Sequence, residues 1–106
     1  ALGELYFYDD RLEDAKSHFT RAGRLGSSAG YNNLGVVLLR EGELEEAERM
    51  LRRELEINPR YEVAFYNLGL VLKAQGRLAE AQAAFGHAVE LVPKYREALD
   101  ELAPPR

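Results

Sequence analysis

The chain has 106 residues, of which 46% are apolar and 30% charged, a balance that suits one folded domain with a modest core. The net charge is −4 and acids alternate with bases, so a nucleic-acid partner is not expected. The chain has no cysteine, which excludes disulfides and thiolate metal sites, and no apolar run approaches the roughly 18 residues of a membrane helix, so membrane insertion is not expected either.

Residues 1–27 form the first predicted segment, a partial pair of helices. Leu2 and Tyr6 belong to a first helix that lacks its N-terminal half, and Ala15 and Phe19 belong to a second one. Because the pattern is already helical where the chain begins, we expect upstream sequence to be missing. The compartment is therefore unknown, with the cytoplasm as the default.

Residues 28–61 form a complete pair of helices in the predicted scheme. Apolar residues at helical spacing indicate a first helix after Ser28, and a second is predicted from about Leu44 to Ile57. Gly42 stands between them, where the chain must turn and a glycine tolerates positive φ. Pro59 stops the second helix.

Residues 62–95 repeat this plan. The segments 28–61 and 62–95 are both 34 residues long, and twelve of the 34 aligned positions are identical. A fixed period of this length indicates a solenoid, in which each unit buries its apolar face only against its neighbours. After the repeats, residues 94–103 are predicted to form a helix that covers the open end of the stack.

Small residues are predicted where the two helices of a unit face each other. Gly35 faces Ala47 in one copy, and Gly69 faces Ala81 in the next. A larger side chain at either place would push the helices apart. Glu54 is the exception, because Ala22 and Ala88 stand at its position in the other copies. Its carboxylate must bend to solvent or find a partner.

The repeated motif is an aromatic residue, Leu-Gly, an apolar residue, alanine, a large apolar residue and proline. It is found as Tyr31, Leu34-Gly35, Leu38, Ala47, Leu51, Pro59, and as Phe65, Leu68-Gly69, Leu72, Ala81, Phe85, Pro93. This pattern resembles the tetratricopeptide repeat. The resemblance implies an all-α fold, a right-handed α-solenoid of antiparallel helix pairs. The chain would form a single domain over residues 1–106, with about three units, of which the first is partial, and a capping helix. This makes about seven helices in total.

No arrangement of residues indicates catalysis. His18 and His87 are two repeats apart, so joint metal binding or acid–base chemistry is not expected, and each is interpreted as a solvated surface residue. Phosphate-binding loops and hydrolase motifs are absent. We therefore predict a protein that is not an enzyme and needs no metal or other cofactor.

In the tetratricopeptide repeat family, the first helices of the units line a concave groove. The residues that point away from their partner helix are then the candidate groove residues: Phe7, Tyr8, Asn32, Asn33, Val36, Leu39, Arg40, Tyr66, Asn67, Leu70 and Lys73. By resemblance, Asn33 and Asn67 would hydrogen-bond the backbone of a ligand, although asparagine is also common before Leu-Gly in such repeats. Tyr66 and Leu70 would either contact the ligand or pack inside a closed superhelix.

One binding mode of the family is disfavoured here. Relatives that grip a terminal carboxylate use lysine, arginine and asparagine on consecutive first helices. In this chain one of the cation positions holds Val63, and a shift by one unit puts both cations on Glu97 and Glu101. Acids there would repel a carboxylate, so we do not expect this clamp.

Three functions remain open from the sequence. The first is a non-enzymatic interaction module that binds a peptide or helix of a partner protein in the groove. The second is a structural element that assembles through the apolar edge of Leu2, Leu5 and Tyr6, stacking on another copy or on upstream repeats of a longer chain. An accessory domain of a multidomain enzyme is a third possibility.

Overall fold

The computed structural model describes residues 2–26 and 29–96, with only the backbone described at residues 2–12 and at Tyr95. This part of the chain consists of five α-helices and one short 3-10 helix, without strands. The helices are α1 Leu2–Arg24, α2 Gly30–Arg40, α3 Leu44–Ile57, α4 Glu62–Ala74 and α5 Leu78–Leu91, followed by the 3-10 helix Pro93–Tyr95. None of these helices is long and apolar enough to cross a membrane.

Each complete helix pair turns on a glycine, as predicted. Gly42 has φ 80° and Gly76 has φ 78°, values that a residue with a side chain rarely adopts. The glycine lets the chain fold back on the end of the preceding helix, where the N–H of Glu43 donates to the carbonyl of Leu38 at 2.9 Å. The same bond recurs after α4. It satisfies a carbonyl that a helix end leaves unpaired.

The first segment differs from the prediction, because α1 is one continuous helix of 23 residues instead of two helices joined by a turn. Its sequence explains the difference. Asp10 stands where the complete pairs have Gly42 and Gly76, and the chain has no glycine or proline between Gly3 and Gly23. Without a residue that favours positive φ, the helix continues. The prediction of about seven helices was wrong on this point.

The packing order is that of an all-α solenoid. Each helix packs on the next one along the chain, and α2 also contacts α4, so that the first helices of successive pairs lie side by side. The predicted unit boundaries at 27/28 and 61/62 stay a prediction. The capping helix predicted at 94–103 lies outside the described residues from residue 97 onward.

Small residues bring the paired helices close together, as predicted. A Cβ atom on Gly35 would lie 2.7 Å from Cγ of Leu51 and 3.4 Å from the carbonyl oxygen of Ala47. A Cβ on Gly69 would lie 2.5 Å from a ring carbon of Phe85. At the two distances below 3 Å, an added Cβ would force the Leu51 or Phe85 side chain to shift. The buried core consists of the apolar residues that surround these contacts, with Ala47, Leu51, Ala81 and Phe85 all at most 1% exposed.

An ion cluster joins α3 to the turn before α5. Glu48 accepts hydrogen bonds from Arg77 at 2.7 Å and from Arg52 at 2.9 Å. Arg77 also bonds Glu80. Partial burial disfavours the charged carboxylate, but the two arginines outweigh it and hold the pKa of Glu48 below its usual 4.5. The Glu80 and Glu48 carboxylates likewise raise the pKa of Arg77.

Candidate binding groove

A stripe of side chains runs along the outer face of the two first helices. On α2 it contains Asn33, Val36 and Arg40, spaced three and four residues apart, and on α4 it contains Asn67 and Leu70 at the matching repeat positions. Arg40 is exposed and the other four are half-buried. We call these five residues the groove stripe. The structure thus brings five of the predicted groove residues together on one face.

Three further predicted residues flank the groove stripe. Leu39 and Tyr66 are half-buried and pack against the core, and the Tyr66 ring lies 5.6 Å from the ring of Phe85. Lys73 is exposed. Leu70 also packs partly on the core. Tyr66 and Leu70 are therefore neither sealed inside the stack nor fully free, and each keeps some accessible surface.

Asn32 does not belong to the exposed face, which corrects the prediction. It is only 3% exposed, and its side-chain oxygen accepts a hydrogen bond of 2.9 Å from Nδ2 of Asn67. Its backbone N–H donates to Oε1 of Glu54 at 3.0 Å. Asn32 lies one residue before the groove stripe begins, and this rotation about the helix axis turns it toward α4 instead of solvent. It joins α2, α3 and α4.

Glu54 is the residue whose role the repeat pattern left undecided. It is 1% exposed, and its second oxygen accepts a hydrogen bond of 2.7 Å from Nδ2 of Asn58. The N-cap residue of α2, Ala29, makes no side-chain capping bond. Glu54 therefore supplies from α3 the acceptor that the N-terminus of α2 needs, and its negative charge suits that end of the helix.

The sequence contains a signal for this network in the comparison of the two complete repeats. One repeat later, the positions of Asn32, Glu54 and Asn58 hold a tyrosine, an alanine and a valine. All three polar residues of one unit are thus replaced by less polar or apolar residues in the next unit. Such a joint change indicates that they contact one another, because a buried polar group requires a hydrogen-bonding partner.

The network distinguishes two asparagines that the sequence makes look equivalent. Asn67 is already engaged with Asn32. Asn33 is half-buried, and its side chain makes no hydrogen bond among the described residues. Its amide offers two donors and one acceptor oxygen toward the groove. Of the two predicted ligand-binding asparagines, only Asn33 therefore has a fully available side chain.

The groove stripe and its flank carry two exposed cations, Arg40 and Lys73. Within the described part of the chain, Arg40 and Lys73 form no ion pair. Lys16 on α1 differs, because hydrogen bonds with Glu13 and Glu41 outweigh its partial burial and raise the pKa of its ammonium group. Its charge is thus already compensated, while those of Arg40 and Lys73 are open to solvent.

Some predicted residues cannot be placed. The backbone of α1 carries Phe7 and Tyr8 and also the edge residues Leu2, Leu5 and Tyr6, but their side chains lie outside the described residues. His18 and His87 are both exposed and lie on different helices. Among residues that the structure describes, no group of three histidine or carboxylate side chains could hold a metal ion.

Comparison with known proteins assigns the fold to a family. The family model of the tetratricopeptide repeat matches residues 26–94, well over half of the chain. The chain belongs to the tetratricopeptide repeat family. No curated protein matches it in sequence.

Two solved tetratricopeptide repeat domains have the same fold. The first repeat domain of Spaghetti (RPAP3), bound to the HSP90 peptide SRMEEVD, superposes with a TM-score of 0.79 and is 20% identical over 94% of this chain and 83% of that chain. The domain of OM64 from Arabidopsis also gives 0.79, with 23% identity over 94% of this chain and 87% of that chain. At these identities the likeness concerns the fold alone. In tetratricopeptide repeat terms, α2 and α4 are first helices, and α3 and α5 are second helices.

Proposed function

We propose that this chain is a non-enzymatic protein-interaction module that holds a peptide segment or an amphipathic helix of a partner protein on the groove stripe. The observation that carries the proposal is the make-up of this face. It combines accessible apolar surface at Val36 and Leu70 with the Asn33 amide and the Arg40 cation, neither of which has a side-chain partner within residues 13–26, 29–94 and 96. Apolar anchors and a few oriented polar groups are what a peptide-binding surface requires.

The apolar part of the stripe would provide most of the binding energy. Val36 on α2 and Leu70 on α4 occupy the same position in successive repeats, so they lie on neighbouring helices that contact each other. Tyr66 is accessible at the flank. A partner side chain that covers these residues removes their apolar surface from water. After the cost of ordering a flexible peptide, we expect an affinity near ~1 μM, which corresponds to roughly 8 kcal/mol.

Asn33 would fix the orientation of the ligand backbone. An extended peptide presents both N–H and C=O groups, and a side-chain amide can pair with both at once. Asn67 is less suited, because one of its N–H groups already donates to Asn32. That Phe7 and Tyr8 extend this surface stays a prediction from the sequence.

The fold relatives support this proposal in a limited way. The repeat domain of Spaghetti (RPAP3) holds a peptide, so a scaffold of this shape can bind one. The carboxylate clamp is disfavoured for this chain, since Val63 stands at one of its cation positions. We therefore propose binding mainly through apolar contacts and not through a terminal carboxylate.

The experiment is affinity capture from a lysate of the native host, with mass spectrometry of the retained proteins. Leu70→Glu should lose the specific partners, because it places a charge in the apolar part of the stripe. Leu78→Glu is the matched control, since Leu78 is 51% exposed and lies on α5 away from the groove. The proposal fails if Leu70→Glu and Tyr66→Ala both keep the partners that the wild type and Leu78→Glu retain, while circular dichroism shows intact folds.

A further inference from the structure

The structure contains a second concavity, on the side of α4 that faces away from the groove stripe. It is an open trough of about 570 Å³ between α3 and α5. Phe65, Leu68 and Leu72 of α4 form its floor, and Leu55 and Ala83 stand on its two walls. We call it the α3–α5 trough.

The trough exists because α5 presents small residues where α3 presents large ones. Ala83 and Ala84 line it from α5, and the equivalent positions one repeat earlier hold Arg49 and Met50. Methyl groups leave room between the two second helices that longer side chains would fill. Of the three floor residues, Phe65 is half-buried and keeps accessible surface, whereas Leu68 and Leu72 are buried.

The trough and the groove stripe can be occupied independently. Phe65, Leu68 and Leu72 follow each other at intervals of three and four residues, which places them on one side of α4. Asn67 and Leu70 lie on the other side of the same helix, by the same spacing. A ligand in one site would therefore not cover the other.

The two ends of the trough differ in charge. At one end, Arg52 bonds Glu48 at 2.9 Å and approaches Glu80 to 4.0 Å, so the charges there compensate one another. At the other end, Glu56 is exposed and has no ion-pair partner among the described residues, although Arg60 follows only four residues later. That end is therefore anionic.

The helix ends add to this negative potential. Neither α3 nor α5 has a basic residue in its last turn, where cations normally offset the partial negative charge of a helix C-terminus. Both helices instead carry a glutamate there, Glu56 and Glu90, at equivalent repeat positions. His87 stands between them on the trough wall, with one ring nitrogen 3.7 Å from Glu90.

We propose that the α3–α5 trough is a second docking site, which takes a basic segment of a partner protein with an apolar anchor. One bulky apolar side chain of the segment lies between Leu55 and Ala83, above Phe65. A neighbouring lysine or arginine pairs with Glu56. The apolar floor and the anionic end select this combination, and the net charge of −4 of the whole chain favours the approach of a basic partner.

The test is a selection of random 12-residue peptides displayed on phage, using Leu70→Glu as the immobilised protein so that the groove stripe is disabled. The selected peptides should combine a bulky apolar residue with lysine or arginine nearby. Ala83→Glu should abolish their binding, whereas Ala79→Glu, an equally exposed position on α5, should not. Circular dichroism confirms that each variant folds.

A charge exchange gives the second readout. Glu56→Lys should weaken the selected peptides by about fivefold or more, because an exposed ion pair is replaced by a repulsion. Glu45→Lys changes the net charge equally on the same helix and should leave binding within about twofold. Equal weakening by both exchanges, or binding that survives Ala83→Glu, overturns the proposal. A concentration-dependent dimer that Ala83→Glu abolishes in sedimentation would assign the trough to a second copy of the chain and overturn it too.

Discussion

The close packing of α4 on α5 can be tested with the same substitution at two glycines. Gly69 lies in α4 and Gly86 in α5. A Cβ on Gly69 would lie 2.5 Å from the Phe85 ring, whereas a Cβ on Gly86 would meet nothing within 4 Å. The change to alanine therefore brings the same gain in helix propensity at both positions, but only at Gly69 does the added methyl group meet a neighbouring side chain. We expect Gly69→Ala to destabilise the fold and Gly86→Ala to stabilise it.

The magnitude follows from two opposed effects. In a helix, alanine is more favourable than glycine by roughly 0.5–1 kcal/mol, and both variants gain this. At Gly69 the ring of Phe85 must also move by about 0.9 Å to reach the 3.4 Å of an ordinary contact. Phe85 is only 1% exposed and has little room, so overpacking should cost roughly 1–3 kcal/mol. The two variants should therefore differ by about 1–3 kcal/mol.

Urea unfolding followed by circular dichroism at 222 nm measures this difference, with thermal unfolding as a second readout. A difference of 1 kcal/mol corresponds to about 4–8 °C in Tm for a domain of this size. Because propensity cancels between the variants, the difference isolates the packing of α4 on α5. If Gly69→Ala stabilised the chain as much as Gly86→Ala does, the close approach of the two helices would be refuted.

Two further predictions concern buried and paired carboxylates. Glu54→Ala introduces the residue that the other repeats have, yet it should lower the free energy of unfolding, measured in urea, by roughly 1–3 kcal/mol. The substitution removes the acceptor of the Asn32 backbone N–H and of the Asn58 side-chain amide. A gain in stability would contradict the capping role of Glu54. Glu48→Gln should be destabilising at pH 7, and its difference from the wild type should shrink below pH 4.5, since the lowered pKa of Glu48 stabilises the fold only while the carboxylate is charged. A difference that stayed constant down to pH 3 would show that the ion pair with Arg77 contributes nothing.

Local pattern was enough to predict most of the architecture. The turns at Gly42 and Gly76 and the close approach at Gly35 and Gly69 depend on single residues that recur with the repeat. Such a glycine can be recognised from sequence, because it produces the same turn or the same close approach in both complete repeats. The bounds of α3 were also predicted, because a proline after a segment of helical periodicity ends the helix.

The continuous helix α1 was not predicted, because the alignment of repeats was given more weight than local chemistry. Leu2, Tyr6, Ala15 and Phe19 match the family pattern, and the match suggested a turn between them. The turn requires a residue at positive φ, and Asp10 stands there. A repeat pattern thus predicts which residues are buried more reliably than it predicts where the backbone reverses.

The groove was predicted less completely, because its exposed face depends on contacts between residues far apart in the chain. Asn67 bonds Asn32 across 35 positions, and Asn32 meets Glu54 across 22. Helical spacing gives the direction of a side chain, but it does not show which neighbouring helix that direction meets. For this reason, helical spacing alone predicted that Asn32 lies in the groove, whereas the structure shows that it is buried.

The Glu54 network also shows why a departure from the repeat need not be a defect. In the next unit, Ala88 at the position of Glu54 goes together with Tyr66 and Val92 at the positions of Asn32 and Asn58. In the pair formed by α2 and α3, the side chain of Asn58 and the backbone N–H of Asn32 donate hydrogen bonds to Glu54. The side chain of Asn32 in turn accepts a hydrogen bond from Asn67 of the next pair. A network specific to one repeat thus links α2, α3 and α4 and sets how the two first helices lie against each other. Because α2 and α4 carry the groove stripe, the hydrogen bonds of Glu54 and Asn32 connect the two helices of the surface that we propose to bind the partner.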